Sequence, residues 1–94
     1  TGRSTKVLIT NFDREAERYA LPLLQKIRRA GIAAELYPTP AKLKKQLSYA
    51  DTKNIPYVVL IGEEEMQSGL LTLKNMANGE QRKLDGDTLL KTLA

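Results

Sequence analysis

Apolar positions recur with two different periods along this 94-residue chain, and the switches between them mark its elements. Lys6-Val7-Leu8-Ile9-Thr10 is a short run of β-formers that reads as a buried strand. Asp13 follows as a helix N-cap. Ala16, Tyr19/Ala20, Leu23/Leu24, Ile27 and Ala30 then repeat at helical spacing, closed by Gly31 as the residue after the C-cap. Pro22 lies inside that stripe and predicts a kink or a later helix start, because proline lacks the N–H the helical ladder needs. Residues 32–37 read as a second strand. Thr39-Pro40 predicts the capped start of a second helix, with Leu43, Leu47 and Ala50 inward and Lys42, Lys44, Lys45, Gln46 and Tyr49 outward. Tyr57-Val58-Val59-Leu60-Ile61 is the most apolar segment and is expected at the sheet centre. Residues 62–69 read as a turn with at most two helical turns. Leu71 and Leu73 alternate with Thr72 and Lys74, a strand with one buried face. Asn78-Gly79 marks a turn, residues 80–84 return as an edge strand, and Asp87 is expected to cap a last helix with Leu89, Leu90 and Leu93 inward.

The sum is βαβαβ, a short helix, a hairpin and a closing helix. Alternating strands and helices imply right-handed crossovers and parallel pairing among the first three strands. The expectation is an α/β fold with a five-stranded mixed sheet, order 2-1-3-4-5, strand 4 antiparallel and helices on both faces. Residues 1–94 make one domain. Tyr19 and Tyr57 are expected in its core.

Composition narrows the chemistry. Apolar residues are 41% and charged residues 28%, as in soluble globular chains. The longest apolar run has the length of a strand, so no segment can cross a bilayer, and neither a secretory nor a transit peptide is visible. Thr1-Gly2 reads as an artificial start, and the chain as the C-terminal piece of a longer protein. With no Cys and no His, the chain contains no disulfide, Cys–His zinc site, redox dithiol or His-based triad. A net charge of +4 and a pI near 9.5 bias it toward anionic partners.

In open α/β sheets the useful crevice lies at the carboxyl ends of the strands, which would gather Thr10, Asn11, Phe12, Tyr37, Pro38, Thr39, Gly62 and Glu63. No glycine-rich loop follows the first strand, which argues against a dinucleotide or triphosphate site. Glu63-Glu64-Glu65 suits the positive end of a helix; adjacent helical residues point about 100° apart and do not converge on one metal ion. One of these glutamates can instead accept hydrogen bonds from a nucleobase amino group. Lys42, Lys44 and Lys45, with Gln46 and Tyr49, form the sharpest basic cluster. It is either a solvated helix face or a surface for phosphates and splayed bases. Arg28 and Arg29 fit the helix dipole.

Read in order, the stretches Lys44-Lys45-Gln46-Leu47, Ala50-Asp51, Ile55-Pro56-Tyr57-Val58-Val59-Leu60-Ile61-Gly62-Glu63, Gly69, Leu71-Thr72-Leu73-Lys74-Asn75-Met76 and Gly79-Glu80-Gln81 resemble the C-terminal anticodon-binding domain of bacterial histidyl-tRNA synthetases. The resemblance spans residues 6–93. It implies a mixed five-stranded sheet, matching the topology above. It also implies a parent enzyme that is a homodimeric, cytoplasmic ligase joining histidine to its tRNA with ATP and magnesium. The catalytic domain of that family precedes this one, so the resemblance implies no catalytic residue, metal or cofactor here. In related anticodon domains an acid after strand 3 and a basic residue on strand 4 contact anticodon bases; the matching positions are Glu65 and Lys74. Lys44, Lys45 and Gln46 lie near the same groove, and Gln81 approaches from the far side. Ser48 stands where the threonine enzyme uses an arginine. The alternatives are a non-catalytic synthetase-like paralogue acting as a regulatory or interaction module, and a flavodoxin-like binder of small ligands.

Overall fold

β1 (Val7–Ile9) is apolar at every position because it lies between two neighbours and under helices on both faces; all three residues are fully buried. In the computed structural model, which describes residues 5–94, β1 pairs in parallel with β2 (Ala34–Leu36) and β3 (Tyr57–Leu60). β3 pairs antiparallel with β4 (Leu71–Asn75), and β4 with β5 (Gln81–Leu84). The sheet order is β2-β1-β3-β4-β5, as the pattern predicts, with β3 at its centre. Thr1-Gly2, read as an artificial start, lies outside the described residues.

Helix α1 (Arg14–Arg29) begins where the Asp13 side chain accepts from Ala16 N at 2.8 Å. Its first turn carries Glu15 and Glu17 and its last turn Lys26, Arg28 and Arg29, the arrangement the helix dipole favours. It stops at Gly31, whose φ of +85° lies in the left-handed region. The helix starts before Pro22 and continues through it, because Pro22 is on the exposed face. Arg28 does more than complement the dipole: its guanidinium donates twice to Ala34 O, at 3.1 and 2.9 Å, tying α1 to β2.

Three expectations need correction. Helix α2 (Leu43–Thr52) does not start at Thr39-Pro40 but after Lys42, which makes no side-chain cap bond. The intervening loop is used instead to reach β1, with Ala41 N donating to Asn11 O at 3.1 Å. Helix α4 (Gly86–Leu93) is capped by Asp85, not Asp87: the Asp85 side chain accepts from Thr88 N at 2.8 Å. Tyr19 is 37% exposed on α1 rather than in the core, while Tyr57 packs against the core half-buried.

The two sheet faces are covered unequally. α1 and α4 pack on one face through Ala20, Leu24, Ile27, Leu89 and Leu93 against Val7, Ile9, Val59 and Leu73. On the other face α2 covers Leu8 and Val58 through Ala50, with Ile55 and Tyr37. Beyond β3 that second face carries polar side chains, and among the described residues the rim of α3 (Glu63–Ser68) stands above it.

Candidate nucleic-acid interface

The register of β3, β4 and β5 builds the uncovered half of the sheet. Leu8, Val58, Lys74 and Gln81 are successive partners across four strands, so their side chains share one face. Leu60, Thr72 and Lys83 form the next row. α2 roofs the Leu8–Val58 end. Lys74 is left half-buried, and Gln81 and Lys83 are exposed.

α2 walls this surface. Leu43, Lys44, Leu47, Ser48 and Asp51 face Met76 across a hollow of about 460 Å³. Met76 follows β4, donates its N–H to Pro56 O at 2.8 Å, and packs with the core on the α2 side. Over the outer side of α2, Lys42, Lys44, Lys45 and Ser48, with Pro40 and Ala41, line a second hollow of about 580 Å³. Lys44 belongs to both. Ammonium groups around open hollows are suited to phosphate oxygens as point charges.

Two residues expected on this surface do other work. Gln46 is 0% exposed. Its Nε2 donates to Asn11 O at 2.9 Å and Ala41 O at 2.8 Å, and its Oε1 accepts from Asn11 N at 2.7 Å. The amide clamps α2 to the end of β1 and is shut off from the surface; the expectation of an outward-facing Gln46 is corrected. Tyr49 also turns inward, donating to Glu35 on β2 at 2.8 Å and meeting the Tyr37 ring edge-on at 5.5 Å.

Glu65 is on the expected face but engaged. Its Oε1 accepts from Gly62 N at 2.8 Å, the backbone half of a capping box, which a glycine N-cap cannot reciprocate. Its Oε2 accepts from Thr72 Oγ1 at 2.9 Å and Lys83 Nζ at 2.7 Å. Burial pushes its pKa up. The Lys83 ammonium, the Gly62 N–H and the Thr72 hydroxyl push it down further, to about 2. The carboxylate is therefore charged near neutral pH, and it holds Lys83 at the groove margin. Lys83, whose second carboxylate contact is Glu64 at 3.4 Å, has its own pKa raised by the Glu65 hydrogen bond.

Lys74 and Gln81 thus stand side by side on one sheet face, Lys44 and Lys45 line the hollows of α2, and Glu65 braces Lys83 on the next row of that face. At the carboxyl ends of the strands Thr10 and Asn11 are fully buried, and Thr10 Oγ1 accepts from Ile61 N at 3.0 Å, whereas Glu63 lines a hollow of about 690 Å³ with Glu15, Arg18, Tyr19, Met66 and Gln67. No helix is long and apolar enough to cross a membrane, and no group of three or more carboxylates is set to hold a metal ion, among the described residues.

The profile of the anticodon binding domain family matches residues 6–94. The chain belongs to the anticodon-binding domain family. It is 52% identical over 90 residues to the histidine–tRNA ligase of Cytophaga hutchinsonii, covering 96% of this chain and 20% of that protein. It is 53% identical over 83 residues to that of Porphyromonas gingivalis, covering 88% and 18%. It therefore spans about a fifth of the length of these relatives. Among solved structures, the histidyl-tRNA synthetase from Nostoc superimposes with a TM-score of 0.90 at 27% identity, covering 96% of this chain and 22% of that one. The RNA binding domain of threonyl-tRNA synthetase from Cryptosporidium parvum reaches 0.89 at 19% identity, covering 96% and 23%, a likeness of fold.

Sequence reasoning on this anticodon-binding domain overlooked Lys83 and Met76. Lys83 was legible: alternation from Gln81 puts it on the same strand face. Met76 was legible in the same way, since alternation from Thr72 and Lys74 puts it on the face of Lys74.

Proposed function

We propose that this domain binds the anticodon stem-loop of a histidine tRNA as part of a histidine–tRNA ligase. The observation that carries this reading is 52% identity to such a ligase across 96% of the chain. The lysines that the fold gathers on α2 and β4 supply a matching mechanism. Lys42, Lys44 and Lys45 neutralise phosphates along α2. Lys74 and Gln81, side by side on the open sheet, meet unstacked bases, Lys74 as a donor and Gln81 as donor or acceptor. Lys83 borders the same surface, fixed by Glu65. The role is recognition, with no bond made here.

The ligase reaction, with its ATP and magnesium, belongs in this proposal to the part of the parent enzyme outside this chain, acting as a cytoplasmic homodimer. The residues here do not fit those groups: there is no glycine-rich phosphate loop after β1 and no gathered set of metal ligands among the described residues. Fluorescence titration of the chain with a histidine-tRNA anticodon hairpin tests the reading. Lys74→Glu should weaken binding at least tenfold; unchanged affinity would remove Lys74 from the interface.

A further inference from the structure

α1, α3 and α4 all place acids in the first turn, and α1 and α4 place bases in the last. Each complements its helix dipole. α2 does the reverse. Its first turn holds Lys44 and Lys45 and no acid, and its acid, Asp51, stands in the last turn without a base. Lys53, at the C-cap, is turned to the opposite flank, over the Tyr49 ring at 6.0 Å. Both ends of α2 are therefore charged against the stability of the helix. The lysines are accounted for by phosphate. Asp51 is not: an anion on an RNA-binding surface repels the backbone, unless it faces hydrogen-bond donors on a base.

The surroundings of Asp51 supply that setting. It lies one turn beyond Leu47 and two beyond Leu43, in the hollow closed by Met76. These apolar side chains are half-buried, and they offer flat walls for a ring to pack against. Ser48, three residues before Asp51, and Lys44, four before Ser48, line the same hollow. The Asp51 carboxylate makes no hydrogen bond or ion pair among the described residues. Read along the helix, the polar edge is thus a carboxylate acceptor, a hydroxyl and an ammonium donor. Guanine is the base whose Watson–Crick edge carries two adjacent donors, N1–H and the N2 amino group, followed by the O6 acceptor. Cytosine and adenine each present a single amino donor there, and uracil a single imide N–H.

We propose that the hollow between α2 and Met76 receives one unpaired guanine of the bound RNA. Asp51 accepts from its N1–H and N2 amino group, and Ser48 or Lys44 donates to O6. This deepens the RNA-binding reading above and rests on it.

The test is a titration of the 94-residue chain with the histidine-tRNA anticodon hairpin and a set of hairpins in which each loop guanine is replaced singly by inosine, which lacks only the N2 amino group. Wild-type protein should lose roughly tenfold or more in affinity at one loop position, the size expected for a hydrogen bond to a charged group. Asp51→Asn should bind the parent hairpin more weakly and show no inosine penalty at that position. Lys45→Ala should weaken every hairpin alike and keep the penalty. The thermal midpoint of Asp51→Asn should not fall, since the change removes an acid from a helix C-terminus. A wild type indifferent to inosine everywhere, or an Asp51→Asn protein that keeps the full penalty, overturns the guanine assignment alone. A wild type that binds no hairpin overturns the RNA reading and this assignment with it.

Discussion

At the scale of single residues, polar side chains in this domain divide into braces and contacts, and only geometry separates them. Gln46 and Lys45 are neighbours in sequence, both polar, and both read as surface in a binary pattern. Yet Gln46 is buried with three hydrogen bonds, and Lys45 lines an open hollow. Gln46→Leu should therefore lower stability by about 2–4 kcal/mol, because it strands the buried Asn11 N–H and Ala41 carbonyl; urea unfolding measures it. Lys45→Ala should leave the unfolding curve in place and weaken RNA binding. Glu65 is a second brace, with a sign that can be checked by pH. Its carboxyl sits at about 2 in the fold against an ordinary 4.5, so its contribution is fully present above pH 4.5 and is lost as pH falls through 2. For this side chain, 12% exposed, the contribution is of order 3 kcal/mol. Glu65→Gln should be less stable at pH 6 and should lose less stability than wild type between pH 4.5 and 2, followed as urea midpoints. Part of the acid sensitivity should survive in the variant, since Glu35 and Asp85 also titrate below their ordinary values.

At the scale of elements, the strands and helices were legible because period and punctuation agree. Period two over Leu71 to Lys74, period 3.6 after Asp13, and glycines at the helix ends all point to what forms. Where the reading failed, a local motif lost to a tertiary bond. Thr39-Pro40 is a sound helix start in isolation, but Ala41 N is drawn to Asn11 O, and the helix begins later. The inward face of α2 was read only in part. Ala50 is fully buried as expected and Leu47 packs half-buried against the core, but Gln46, one turn before Ala50, is fully buried too, while Leu43 and Leu47 also line the groove. Two leucines in a groove wall look like core in a sequence, so the site was less legible than the fold that carries it. Pro22 shows the opposite balance, a local cost that the tertiary structure tolerates. It lies mid-helix on an exposed face and denies Arg18 O its N–H partner. Pro22→Ala should stabilise the domain by about 1–3 kcal/mol, set by the helix-interior penalty of proline less the chain entropy it removes from the unfolded state. Guanidinium unfolding measures the gain; a loss would mean that the proline fits its turn better than alanine does.

At the scale of the whole molecule, unequal coverage of the sheet is what makes a surface available. α1 and α4 close most of one face, whereas α2 closes the other only as far as β3. The uncovered half is neither apolar nor neutral: it carries Lys74, Gln81 and Lys83, walled by Lys44. A net charge of +4 is modest, so affinity for RNA depends on where the lysines stand more than on how many there are. That placement has a measurable consequence. If the three α2 lysines meet phosphates of a single-stranded loop, the logarithm of the binding constant should fall with the logarithm of salt with a slope of about −2, each phosphate contributing roughly 0.7. Removing Lys42, Lys44 or Lys45 singly should flatten that slope by about 0.7. Lys26→Ala should leave it unchanged, because Lys26 is on the opposite face, paired with Asp87 at 3.3 Å. Equal effects from Lys26 and Lys45 would mean that RNA senses only net charge and that the groove does not position it.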